Sequence, residues 1–349
     1  MLAFIVRRLS WAIVLTFVVT LVTFVVFFVL PKHFTNGRRN ERGTDILTPF
    51  DARGTVPVAY LSFLGHVALH ADLGNSRASG EPATTVIARA LPVTASLVIG
   101  GMILWLLMAF PIGILAALRP RSLIDKGAMA FVLIGAACHP LWLSLLFSYT
   151  FGARLHWFPI AGYCDFSHVK DSSNGCFGPR YWAYHMTLPW ITYGIIFAAL
   201  YARMIRASLL ETLDEDYIRT ARAKGASTSR IVRKHALRNA MLPIVTMLGM
   251  DVGVAFAGAL FIEQIYDLPG MGRLFVNAIG AGDTAVIMGI ALVVSFAVVI
   301  ANLVVDILYS IADPRIRMSS AGGTIRVSRR SSRALRRSTQ PRVSEQTTS

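Results

Sequence analysis

The chain has 349 residues, of which 54% are apolar and only 15% charged, with a mean hydropathy of +0.57 and a formal net charge of +15. A soluble domain averages about 25% charged residues, so this composition excludes an ordinary cytosolic protein and a disordered one. The apolar residues gather in blocks of about 20, the length of a helix that crosses ~30 Å of hydrocarbon, whereas a β-barrel shows alternating segments of about ten. The fold class that follows is an all-α polytopic membrane bundle, and its positive charge reads as topology, with no nucleic-acid partner.

In chain order, the first span runs from Ser10 to Leu30 after Arg7 and Arg8. A cleaved signal peptide is the rival reading, but its apolar core would be shorter, and Phe28-Val29-Leu30 offers no small-residue cleavage site. Residues 1–30 are therefore expected as a retained signal-anchor helix. Residues 31–92 form a long external loop. Its Ala59–Leu73 segment is apolar at helical spacing and predicts a helix lying on the outer membrane surface. His66 and His70 stand i, i+4 there, without the further ligands a metal site needs, so no metal is expected.

The core, 93–311, holds five more spans. The second is Val93–Leu118, with Pro92 at its first turn and a kink at Pro111. The third is Gly127–Phe151, kinked at His139-Pro140. An external loop, 152–186, carries Cys164 and Cys176, which would persist as a disulfide in an oxidising compartment; Cys138, within a span, reads as a packing residue. The fourth, fifth and sixth spans are Thr187–Ala202, Met241–Ile262 and Thr284–Ile311. Six spans put both termini on one side. With that side cytoplasmic, inner segments 1–9, 119–126, 203–240 and 312–349 carry 23 of the 34 Lys and Arg. The Arg-rich 312–349 tail reads as a disordered end with weak contact to anionic lipid.

Between the fourth and fifth spans, residues 211–243 are strongly charged yet helix-favouring. Asp214, Glu215 and Asp216 suit a helix N-terminus, and Arg222 and Lys224 suit its C-terminus. Gly225 follows as a C-terminal cap, and a second helix starts near Ser227–Ser229. Ala221 and Ala223 allow close approach of another surface, while Arg219 and Arg222 supply charge. These residues leave two readings open, a docking element and a solvated loop that only obeys the positive-inside rule.

The segment DYIRTARAKG, followed by KHALRNAMLP, resembles the cytoplasmic loop of ABC importer permeases in its dipeptide, oligopeptide and nickel subgroup. It departs from the general family motif, E-A-A-x3-G-x9-I-x-L-P, of which only Ala221 and Gly225 match. DLGNS at 72–76, LPVTASL at 91–97, IEQIYDLPGMGRL at 262–274 and NLVVDILYSIADPRIR at 302–317 are also similar to that subgroup's landmarks. The resemblance implies a type I importer permease, with six spans and alternating access. It implies a second permease, two ABC ATPase subunits, an extracytoplasmic binding protein and a peptide substrate, with nickel as the close rival. It also implies that Asp216, Tyr217, Arg219, Thr220, Ala221, Arg222, Ala223, Lys224 and Gly225 couple to the ATPase.

The chain has five Lys, none after a Gly, and so no G-x-x-x-x-G-K-[ST] phosphate loop. No catalytic residue or bound cofactor is expected here, and ATP and Mg belong to partner subunits. An ATPase-independent secondary transporter is the reading from a different class, and it leaves 211–243 without a purpose. Gly249, Gly253 and Ala257, like Gly194, Ala198 and Ala202, recur every four residues and predict close helix packing. Asp251 lies inside the fifth span and is a candidate for the translocation pathway; Asp306, nearer the cytoplasmic end of the sixth, is expected to be structural. Glu263, Asp267, Pro269 and Gly270 mark an outer loop that turns back into the membrane or docks the binding protein.

Overall fold

Leu, Ala and Met lose little freedom in a helix, and in lipid a helix pairs its backbone N–H groups within its own segment. The computed structural model is accordingly helical; it describes residues 2–26, 56–70, 72–166 and 176–312. Its helices are α1 (Leu2–Phe24), α2 (Val56–His70), α3 (Ala83–Leu118), α4 (Leu123–Ala137), α5 (Pro140–Arg154), α6 (Pro179–Leu213), α7 (Asp216–Ala223), α8 (Thr228–Ile265), α9 (Met271–Ala281) and α10 (Thr284–Ala312). The end of α5 and the stretch Ile231–Ala236 of α8 are π-helical.

Among the described residues four helices, α3, α6, α8 and α10, are long and apolar enough to cross a membrane, and α4 with α5 makes a fifth crossing if the pair is one span. The expected first span contributes only the shorter apolar stretch Ile13–Phe24, and its last residues, 27–30, lie outside the described ones. Most of the 31–57 segment and the basic tail also lie outside them, as do the side chains of His70 and Asp306.

Several boundaries differ from the sequence reading, each for a physical reason. Helix α3 begins ten residues before Val93, so Pro92 lies well inside it. Ala83, Ile87 and Ala90 on these added turns are buried with Leu73, Met271 and Val286, so packing supplies what the amphipathic stretch lacks in hydropathy. Pro179 opens α6 eight residues before Thr187, and the helix runs on to Leu213. The loop expected outside therefore ends at 178, and the one expected inside begins at 214. At His139-Pro140 the third span does not kink but breaks, with α4 and α5 at 105°. Cys138 and His139 are both extended, the conformation that a following proline imposes.

Helix α2 starts three residues before Ala59 and ends three before Leu73, and it does not lie on the membrane alone. Tyr60 and Phe63 are buried against Phe24, and the Tyr60 hydroxyl donates to the Phe17 carbonyl of α1 at 3.1 Å.

The central core lies where α3 packs along α6. Trp105 stacks on Phe197 at 4.6 Å and meets Tyr193 and Tyr201. Small residues make this approach: Gly100 faces Trp190, Gly101 faces Tyr193, and Gly113 faces Ala202 and Ile205. Of the two expected small-residue rows, Ala198 and Ala202 are fully buried and Gly194 meets Leu104. Gly249 and Gly253 pack on Val305 and Val298 of α10, while Ala257 is exposed.

Candidate functional site

Glu215, extended at the N-cap, accepts from the backbone N–H of Ile218 at 3.0 Å and starts α7. Asp216 occupies the first turn and Arg222 the last, each complementing the helix dipole. Lys224 caps the helix, and Gly225 follows at φ +79, in the left-handed region that glycine adopts without penalty. A Cβ at Gly225 would meet nothing within 4 Å, so this glycine serves the turn and not a close contact. The Ala226 N–H then bonds to the Ala221 carbonyl at 3.2 Å, and α8 begins at Thr228.

One side chain roots this helix. Ile218 is fully buried with Ala117 of α3, Leu209 of α6, and Ile231, Ala236 and Ala240 of α8. Tyr217 accepts a hydrogen bond from Asn239 at 2.8 Å. The other residues of the expected coupling set point outward. Asp216, Arg219, Thr220, Arg222, Ala223, Lys224 and Gly225 are exposed and Ala221 is half-buried. The Asp216–Arg219 pair, 3.5 Å apart at the surface, contributes little to stability. A cleft of about 720 Å³ opens beside the helix, walled by Tyr217, Thr220 and Ala221 on one side and Arg230, Lys234 and His235 on the other.

At the opposite ends of the long helices, two buried carboxylates organise the loops. Glu263 accepts from Thr94 at 2.6 Å and from the backbone N–H groups of Gly272 and Arg273 at 2.7 and 3.1 Å. A Cβ on Gly270 would collide with its carboxylate. The chain thus turns back at 266–270 and continues as the short α9. Asp283, between α9 and α10, accepts from Ser76 at 2.6 Å and from the Arg77 N–H at 2.8 Å. The DLGNS segment is thereby tied to the start of α10.

Cys164 and Cys176 are joined as a disulfide, with Cα atoms 5.2 Å apart. Its loop is bonded to α6 through His185 Nδ1 and the Gly162 carbonyl, 3.0 Å apart, and to the α8–α9 turn through Gly162 N–H and the Tyr266 carbonyl, 2.9 Å. His185 lies close to both sulfurs, but a disulfide holds no thiolate to ligate a metal. Asp251 accepts from the Tyr201 hydroxyl at 2.8 Å and is half-buried on α8, far along the chain from the residues of α7.

A short exposed helix is thus rooted among three long apolar ones. The model of the family described as binding-protein-dependent transport system inner membrane component matches residues 109–318. The chain belongs to this family. It is a permease component and is not itself catalytic. A protein of Brucella suis biovar 1 named as a peptide permease is 38% identical over 269 residues, 76% of this chain and 81% of its own length. The di/tripeptide transport system permease protein DppB of Pseudomonas aeruginosa is 35% identical, over 91% of this chain and 99% of its own. The dipeptide transport system permease protein DppB of Escherichia coli K12 is 34% identical, with the same shares. The permease is an inner-membrane protein of a binding-protein-dependent system.

Sequence reading missed three structural supports of the permease. Ile218 was legible as one apolar residue in a charged stretch, but its burial depends on three distant helices. Asp125, on the first turn of α4, and Arg206, near the end of α6, form a two-pronged pair at 2.6 and 2.8 Å. Asp283 accepts locally from the Val286 N–H at 3.2 Å, as an acid before a helix can, but its bonds to Ser76 and Arg77 reach more than 200 residues back and have no local signal.

Proposed function

We propose that the chain is the transmembrane permease subunit of an ATP-driven importer of di- and oligopeptides, forming half of the translocation pathway. In this reading it has six spans and two cytoplasmic termini. Residues 1–30 anchor its N-terminus, 93–311 form the core, and the basic 312–349 tail contacts lipid head groups on the inner face. It pairs with a second, homologous permease and two ABC ATPases, which use ATP and Mg, and it receives peptide from an extracytoplasmic binding protein.

The observation that carries the reading is α7. Asp216, Tyr217, Arg219–Lys224 and the Gly225 turn form a protruding unit whose one buried side chain, Ile218, reaches α3, α6 and α8. A push on α7 from a closing ATPase pair would therefore act on three long helices together, which is what alternating access requires. The names of the relatives, peptide and dipeptide permeases matched over most of their length, support the substrate class. Asp251 belongs on the translocation pathway in this scheme, held in place by Tyr201. The Cys164–Cys176 disulfide belongs on the outer side.

The test is purification of the tagged chain from its native membrane in mild detergent, with identification of what accompanies it. Recovery of a second permease and of ATPases is expected, with ATP turnover stimulated by peptide-loaded binding protein. A chain that purifies alone would overturn the docking role of α7 and favour a secondary transporter. Stimulation by Ni²⁺ and not by peptide would overturn the substrate class.

A further inference from the structure

At the outer ends of α3, α6 and α9 lies a second cleft, of about 1070 Å³, at the upper end of the range for small-ligand sites. Arg89, Arg273 and Asp165 line it together with Tyr163, Phe166 and Trp182. The aromatic wall is built: Trp182 stands edge-on to Phe166 at 5.2 Å and to Trp190 at 5.1 Å, and Trp190 donates to the Ser96 carbonyl of α3. Burial, reinforced by the neighbouring Asp165 carboxylate, raises the Tyr163 pKa, so its hydroxyl stays protonated and can donate.

Both signs of charge are presented from braced positions. Asp165 follows the disulfide cysteine Cys164, and its carbonyl accepts from the Gly178 N–H at 3.0 Å. Arg273 sits on the first turn of α9, where Glu263 holds its backbone N–H. The acids that pair with the two arginines, Glu81 with Arg89 and Asp267 with Arg273, do not line the cleft, and both pairs are solvent-accessible. Accessible pairs of this kind are weak and exchange readily for another carboxylate. A ligand of one sign would meet repulsion from part of this lining. A zwitterion has a partner for each end.

We infer that this cleft receives the two charged termini of the imported peptide, Asp165 taking its ammonium group and Arg273 and Arg89 its carboxylate. The inference rests on the peptide-importer reading. The aromatic side chains offer a surface for peptide side chains without selecting among them. An extended dipeptide spans about 7 Å and fits within the cleft.

The test uses the assembled importer in proteoliposomes with its binding protein, and three probes: dialanine, dialanine amide and N-acetyl-dialanine. Comparing probes within one variant cancels differences in assembly or folding. In Arg273→Gln the ratio of dialanine to dialanine amide uptake is expected to fall about tenfold, the size of one lost charge-assisted bond. Arg273→Lys restores part of it. In Asp165→Asn the ratio of dialanine to N-acetyl-dialanine falls instead. Unchanged ratios overturn the inference. Equal loss of all three probes also overturns it, and assigns the surface to docking of the binding protein. A wild-type importer that carries none of the probes, nor any component of a mixed peptide digest, removes the peptide reading itself.

Discussion

Thr94 on α3 donates a hydrogen bond of 2.6 Å to Glu263 on α8, across 169 residues of sequence, while its own oxygen accepts from the backbone N–H of Met271 at 2.7 Å. One hydroxyl thus joins two long helices to the start of α9, and Glu263 completes the join by accepting from Gly272 and Arg273.

Glu263→Ala would leave two backbone N–H groups and the Thr94 hydroxyl without their acceptor in a fully buried place. A loss of about 3 kcal/mol is expected, against a smaller loss for Glu263→Gln, which keeps acceptor oxygen. Thermal unfolding of the detergent-purified chain measures both. Equal midpoints for Glu263→Ala and wild type would contradict the anchoring role.

Gly225→Val places a β-branched residue at φ +79, at a conformational cost of about 1–2 kcal/mol. Because nothing crowds that site, the chain should still reach the membrane in normal amount. The turn relaxes instead, and uptake is expected to fall tenfold or more. Normal uptake in membranes with a normal amount of the variant would remove Gly225 from the coupling unit.

Breaking the Asp125–Arg206 pair with Arg206→Ala leaves Asp125, on the first turn of α4, without its two-pronged partner. The fall in unfolding midpoint should exceed that of Arg89→Ala, whose pair with Glu81 is exposed. Removing both partners, Asp125→Ala with Arg206→Ala, should recover part of the loss in a double-mutant cycle.

Alkylation of the denatured chain should add one label at Cys138 before reduction and three after it, because Cys164 and Cys176 are paired. Cys176→Ser should lower stability by about 3 kcal/mol, the loop-closure value for a bridge of this separation. Three labels without reductant would exclude the bridge.

Asp251→Asn preserves an acceptor for Tyr201 and so should fold normally. A several-fold loss of uptake is expected if its charge faces the pathway, and wild-type uptake would exclude Asp251 from it.

Local rules act over a few residues, and what they govern was readable from the chain alone. Block length and composition gave membrane helices, and the helix caps placed α7 between Asp216 and Gly225 with its true direction and ending. A bend at His139-Pro140 was readable too, but its size was not: a kink was expected, and α4 and α5 meet at 105°. The added turns of α3 were illegible, because Ala83, Ile87 and Ala90 become apolar-face residues only once Leu73, Met271 and Val286 cover them. The same holds for Ile218, Glu263 and Asp283. Glu263 was read only as part of an outer loop and Asp283 has a local bond to the Val286 N–H, yet each of the three gains its inter-helix role from partners brought close by the packing of helices far apart in sequence. Hydropathy and capping are properties of neighbouring residues; burial of a carboxylate or the seat of α7 is a property of distances that exist only after α3, α6 and α8 have met.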